Sequence, residues 1–143
     1  MPGARVLVRT MQARGAATIL VSGGFMPFAE PVAAQIGFDR AVANLLNFDG
    51  EVLDGTVARP IVGADAKKQL LESELARLGL TSDRAMAVGD GANDIPMLQA
   101  AGLGVAYHAK QAAAAAADAR IRHGDLTALL YAQGIARRDW AVG

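Results

Sequence analysis

The chain has 143 residues, 52% of them hydrophobic, which suits one domain with a substantial core. Fourteen Lys+Arg balance 14 Asp+Glu, so the net charge is zero and no strong field favours nucleic acid or an anionic membrane surface. The absence of cysteine excludes disulfides, thiolate catalysis and cysteine-based zinc sites.

That absence fits a reducing cytosol, and a cytoplasmic location is the expectation. Met1-Pro2-Gly3-Ala4-Arg5 precedes an amphipathic stretch rather than the long apolar run of a signal peptide. No apolar run approaches the ~20 residues needed to span a bilayer.

A first helix is predicted from about Gly3 to Arg14. Val6, Leu7, Thr10 and Met11 share a face, and Gly15 stands where a left-handed cap ends a helix. Ala17 to Val21 reads as a short buried strand, broken by Ser22-Gly23-Gly24. A second helix is expected from Pro27 to Ile36, with Gly37 beyond its end. Val42 to Phe48 and Glu51 to Val57 then flank Asp49-Gly50, the signature of a β-hairpin with a type I′ turn.

A long helix follows from Ala64 to Leu78, where Leu70, Leu71, Leu75 and Leu78 keep helical spacing and Gly79 stops it. Arg84 to Val88 is the next strand. Asn93 to Ala101 reads as a helix with Pro96 in its first turn, where the missing N–H costs little. Gly104 to Ala106 and Arg120 to Ile121 are short strands, and the alanines from Ala112 to Ala117 between them favour a helix. Asp125 is placed to cap a last helix, Leu126 to Gln133. Alternation of strand and helix argues for a doubly wound parallel α/β sheet, here a single domain over residues 1–143. Ligands sit outside the carboxyl ends of such strands, and Ser22 and Asp90 both fall at strand ends, converging on one sheet edge.

The run Val88-Gly89-Asp90-Gly91-Ala92-Asn93-Asp94 carries the chemistry. A strand delivers Asp90 to the sheet edge between two glycines, and a hard cation such as Mg²⁺ takes carboxylate oxygens while keeping several waters. Asp90 is the expected metal ligand; the bland alternative is an aspartate bonding its own turn. Asp94 can cap the following helix, or hold a metal-bound water or a lysine. Asn93 offers an amide to phosphate. Ser22 and Gly23 present a hydroxyl and backbone N–H groups near a helix start, a weak anion signal by itself. Lys67 or Lys68 can neutralise phosphoryl oxygens, and at least one of the two should be exposed. His108 and His123 are expected to be structural.

These residues resemble the haloacid dehalogenase superfamily. Leu20-Val21-Ser22-Gly23-Gly24-Phe25 looks like its second motif, Lys67 stands where the third-motif lysine belongs, and Gly89-Asp90-Gly91-Ala92-Asn93-Asp94 looks like the fourth. Within it, Phe25-Met26-Pro27-Phe28, Asn47-Phe48-Asp49-Gly50, Ala106-Tyr107-His108-Ala109-Lys110 and the stretch from Ile121 to Tyr131 resemble the phosphoserine phosphatase subgroup. The resemblance runs from Pro2 to about Ile135. It implies a Mg²⁺-dependent phosphomonoester hydrolase acting on phosphoserine, the last step of serine biosynthesis. An aspartate attacks phosphorus and water hydrolyses the aspartyl-phosphate. Ser22, Gly23, Lys67 and Asn93 would hold phosphate, Lys67 would stabilise the nucleophile, Asp90 would bind Mg²⁺, and Asp94 would support both.

The departures are specific. The superfamily's Asp-x-Asp nucleophile is absent, since no two aspartates are spaced i, i+2, and Gln111 replaces a proline. The first strand and the helical cap of the subgroup are missing too. The chain is therefore expected to be inactive alone: a fragment of a longer enzyme, a short chain acting with a separate N-terminal segment, or a non-catalytic remnant that binds phosphate, metal or a partner. Unsatisfied sheet edges would favour a homodimer or pairing with the missing segment. A different small-phosphate hydrolase of the superfamily also fits, because the cap decides the substrate.

Overall fold

The computed structural model describes residues 3–44, 46–49, 52–57, 62–122 and 124–141. In chain order its elements are α1 (Ala4–Ala13), β1 (Ile19–Phe25), α2 (Met26–Ile36), β2 (Arg40–Asn44), β3 (Leu46–Asp49), β4 (Val52–Val57), α3 (Ala64–Leu78), β5 (Met86–Gly89), α4 (Ile95–Ala100), β6 (Leu103–Tyr107), α5 (Gln111–Ala116), β7 (Ala119–Ile121) and α6 (Ala128–Ala132). The fold is α/β, with parallel strands flanked by helices. The described strands form three ladders rather than the single sheet expected: β1-β2 and β5-β6-β7 are parallel, β3-β4 is antiparallel. Strand existence is a local property, but ladder partners are chosen by long-range placement. No described helix is long and apolar enough to cross a membrane.

The chain divides into two compact units, residues 1–62 with 125–143, and residues 63–124. In the first, α1 buries Ala4, Leu7, Val8 and Thr10. Val6 and Met11, expected on that face, are only half-buried. The predicted glycine stops hold: Gly15, Gly37 and, in the second unit, Gly79 all have positive φ just past their helices. Gln12 donates to the carbonyl of Gly37 at 2.7 Å and to Thr18 Oγ1 at 2.8 Å, while the Thr18 amide donates to Asp39 Oδ2 at 2.7 Å. These bonds tie the end of α1 to the starts of β1 and β2.

Ser22-Gly23-Gly24 does not end β1. The ladder runs Ile19↔Arg40, Leu20↔Ala41 and Val21↔Val42, then shifts to Phe25↔Asn44, so the segment is absorbed as an irregularity within the strand. Buried Asn44 locks it by donating to the Gly23 carbonyl at 2.8 Å and accepting from the Val62 amide at 2.6 Å. The stretch Val42 to Phe48, expected as one strand, is split between β2 and β3, which join different ladders. In the hairpin Asp49 pairs with Val52 and so belongs to the strand rather than the turn. Gly50 and Glu51 lie outside the described residues.

In the second unit α3 spans the predicted residues. One core cluster there is Ala87, Leu98 and Ala101, with Leu71, Ala85, Met97 and Ala117 packed against it. Leu78 is 42% exposed and contributes little to that core. Gly104 makes close packing possible. A Cβ there would lie 2.8 Å from the Leu98 carbonyl carbon, so only glycine lets α4 rest on β6.

Candidate functional site

The site is built from the C-terminal end of β5, the turn after it, and the first turn of α3. Lys67 is the one buried residue of α3. Its ammonium donates to Asp94 Oδ1 at 2.7 Å, and the two side chains are 7% and 9% exposed. The neighbouring Lys68 faces outward, 3.8 Å from Glu72. Adjacent helical residues point about 100° apart, so only one lysine of such a pair can enter the core.

Asp94 uses its other oxygen on the turn. Oδ2 accepts the amides of Asp90 at 3.1 Å and Gly91 at 3.3 Å. Its side chain makes no capping bond to α4 itself, but by accepting the Gly91 amide it caps the short helical turn that leads into α4. The residue sits in a 3-10 turn, Ala92–Asp94, that precedes α4 and turns the carboxylate back towards the chain entering it. Both Asp94 oxygens are thereby engaged, and a buried charge is satisfied on each side.

The Asp90 carboxylate is different. It is exposed and takes no hydrogen bond from any described residue. Among the described residues no three His, Cys, Asp or Glu side chains group to hold a metal. This donor set fits a hard divalent cation through one carboxylate, as suits an ion that keeps most of its water shell. The Asp90 carbonyl accepts the Lys110 amide at 3.2 Å, which fixes the turn to the loop after β6. Asn93 is exposed, and its amide has no partner among the described residues.

The remaining expected site residues lie in the other unit. The Ser22 hydroxyl accepts the Gly24 amide at 3.0 Å, a local turn bond, and Gly23 is exposed. Ser22 also lines an open, mostly apolar groove with Phe25 and Phe28. Ser22 lies within β1 of the β1-β2 ladder, whereas Asp90 follows the last residue of β5 in the β5-β6-β7 ladder. Within the second unit the structure brings Lys67, Asp94 and the Asp90–Gly91 turn together.

One feature beside the site escaped the sequence reading. His108 adopts φ 45, stacks on Tyr107 with centroids 4.2 Å apart, and its Nε2 lies 2.9 Å from the Gly124 carbonyl oxygen. That conformation orients the loop whose Lys110 amide holds the Asp90 carbonyl. No composition cue marks a left-handed histidine. His123 lies outside the described residues.

A family model described as haloacid dehalogenase-like hydrolase matches residues 1–99. The phosphoserine phosphatase SerB2 of Mycobacterium tuberculosis is 41% identical over 97% of this chain and 34% of its own. The structure of a probable phosphoserine phosphatase from Vibrio cholerae superposes with TM-score 0.87 at 35% identity, over 97% of this chain and 43% of that one. A phosphoserine phosphatase solved as a phospho-aspartyl intermediate analogue superposes with TM-score 0.82 at 35% identity, over 91% of this chain and 62% of its own. The chain spans about a third to just over half the length of the curated relatives it matches.

Proposed function

The chain belongs to the haloacid dehalogenase-like hydrolases, a family that suggests a divalent metal, and from that premise we propose that it serves phosphomonoester hydrolysis, with O-phospho-L-serine as substrate and Mg²⁺ as the ion. Residues 1–143 then serve as one core domain acting in the cytoplasm, in the last step of serine biosynthesis. The observation that carries it is the buried Lys67–Asp94 pair, whose carboxylate also holds the Asp90–Gly91 turn.

Each residue then has a physical task. An ammonium has three donors, and Asp94 takes one, which leaves Lys67 two for phosphoryl oxygens. In a buried setting its charge offsets the negative charge that gathers in the transition state. Asp94 positions Lys67 and fixes the turn. Asp90 holds Mg²⁺, which when bound supplies further positive charge to the phosphoryl group. Ser22, Gly23 and Asn93 supply hydroxyl and amide donors to phosphate.

The relatives include one described as a phospho-aspartyl intermediate analogue, which supports an aspartate as the attacking group. This sequence contains no Asp-x-Asp. We therefore expect the polypeptide by itself to release no phosphate from L-phosphoserine, with Mg²⁺ or with EDTA. Joined to an upstream Asp-x-Asp segment it should turn over with Mg²⁺, and Asp90→Asn should abolish most of that rate. Turnover by the chain alone would mean that another group attacks phosphorus. Silence of the joined protein, with phosphate still bound, would favour the second reading that the missing nucleophile raises: a non-catalytic phosphate-binding module.

A further inference from the structure

The second unit holds a cavity of about 330 Å³ that the proposed chemistry does not use. It opens at the edge of the three-stranded ladder, where β7 is the last described strand. Arg120 and Arg122 line it together with Gln111, over a floor of Ala106, Ala109 and Ala114. Ala106 pairs in register with Arg120, so both side chains stand on one face of the sheet. Arg122 lies just past the end of β7 and lines the same cavity as Gln111 and Ala114 of α5. The alanines leave the volume open that larger side chains would fill.

Both guanidiniums are exposed, and among the described residues neither meets a carboxylate. The adjacent acid, Asp118, is engaged elsewhere: its Oδ2 accepts the Gly104 amide at 2.8 Å. Two like charges thus converge on one concavity that no acidic residue lines, and Gln111 adds an amide donor. A guanidinium presents a planar fork that matches the oxygens of a carboxylate or a phosphate. The volume is at the small end of ligand pockets.

We propose that this cavity is a second anion site, which binds a small molecule through a phosphate or carboxylate group held by Arg120 and Arg122, with its apolar part over the alanine floor. It is separate from Lys67 and Asp94, and it stands whether or not the hydrolase reading does.

The test is a titration of the full ¹⁵N-labelled chain with inorganic phosphate and, separately, with acetate at constant ionic strength, followed at the amides of Gln111 and Ala114. Saturating shifts are expected in the wild type. At least a tenfold loss of affinity is expected in Arg120→Gln/Arg122→Gln. Both arginines are exposed, so the remaining amide positions of that variant report an unchanged fold, and each single substitution should give an intermediate loss. Saturation by phosphate alone assigns a phosphate ester; by acetate alone, a carboxylate; either supports the site. Linear shifts with no saturation, or a double variant that titrates like the wild type, would overturn it.

Discussion

Gly89 and Asp94 approach so closely that a Cβ on Gly89 would lie 2.5 Å from the Asp94 Cβ and 2.7 Å from its Cγ. The glycine before Asp90 therefore makes room for the carboxylate that holds Lys67. Gly89→Ala should destabilise the chain by about 1–3 kcal/mol, the usual cost of overpacking. The displaced Asp94 should also loosen the turn. Urea unfolding measures the first effect, and faster amide exchange at Asp90 and Gly91 the second; an unchanged midpoint would mean that the turn yields without cost.

Breaking the Lys67–Asp94 pair from either side leaves a buried charge. Lys67→Met or Asp94→Asn should each cost about 3–5 kcal/mol. The double variant should cost less than their sum, with a coupling of about 0.5–3 kcal/mol. Lys68→Ala, which removes only an exposed contact with Glu72, should stay within about 0.5 kcal/mol. Additive single and double variants would show that the two groups do not interact.

Gly104→Ala tests the helix–strand contact. The new methyl would meet the backbone of Leu98, which is fully buried and cannot swing aside as a side chain would. The loss should reach the upper part of about 1–3 kcal/mol. Near-ultraviolet or methyl spectra of the Ala87–Leu98–Ala101 core should change with it.

Asp125 gives the chain an acid-sensitive contact. The Thr127 hydroxyl, and then the Thr127 amide at 2.8 Å, donate to its Oδ1 and hold its carboxyl below the usual 3.8, while burial opposes this weakly. A depressed folded value makes the contribution fully present above about pH 4, and it is lost as pH falls through the lowered value. Thr127→Val removes the larger of the two causes. Its thermal stability should fall below wild type at neutral pH and approach it at about pH 2; an equal gap at both would deny the contact any charge dependence.

Much of the secondary structure was legible. The bounds of α3 follow from its leucine spacing and Gly79, and the ends of α1 and α2 from Gly15 and Gly37. These signals are local: a helix stops where a left-handed residue is cheap, whatever lies around it. The importance of Gly89 to Asp94 was legible as well, because glycines beside a carboxylate at a strand end are an unusual composition. The same local logic failed at Ser22-Gly23-Gly24. Glycines there mark irregular backbone, but the buried Asn44 side chain, 21 residues away, bonds the Gly23 carbonyl and keeps the segment within the strand.

Sequence alone determined the α/β class, the family, the bounds of α3 and the absence of an Asp-x-Asp motif, since each depends on residue order along a short stretch. Tertiary structure decided which lysine is buried, which oxygen of Asp94 serves Lys67 and which the turn, and that the Asp90 carboxylate takes no hydrogen bond among the described residues. It also decided that strands of similar pattern join three ladders. Those outcomes depend on groups 27 residues apart meeting within hydrogen-bond reach. Burial and pairing energies set such meetings, and a linear pattern carries neither.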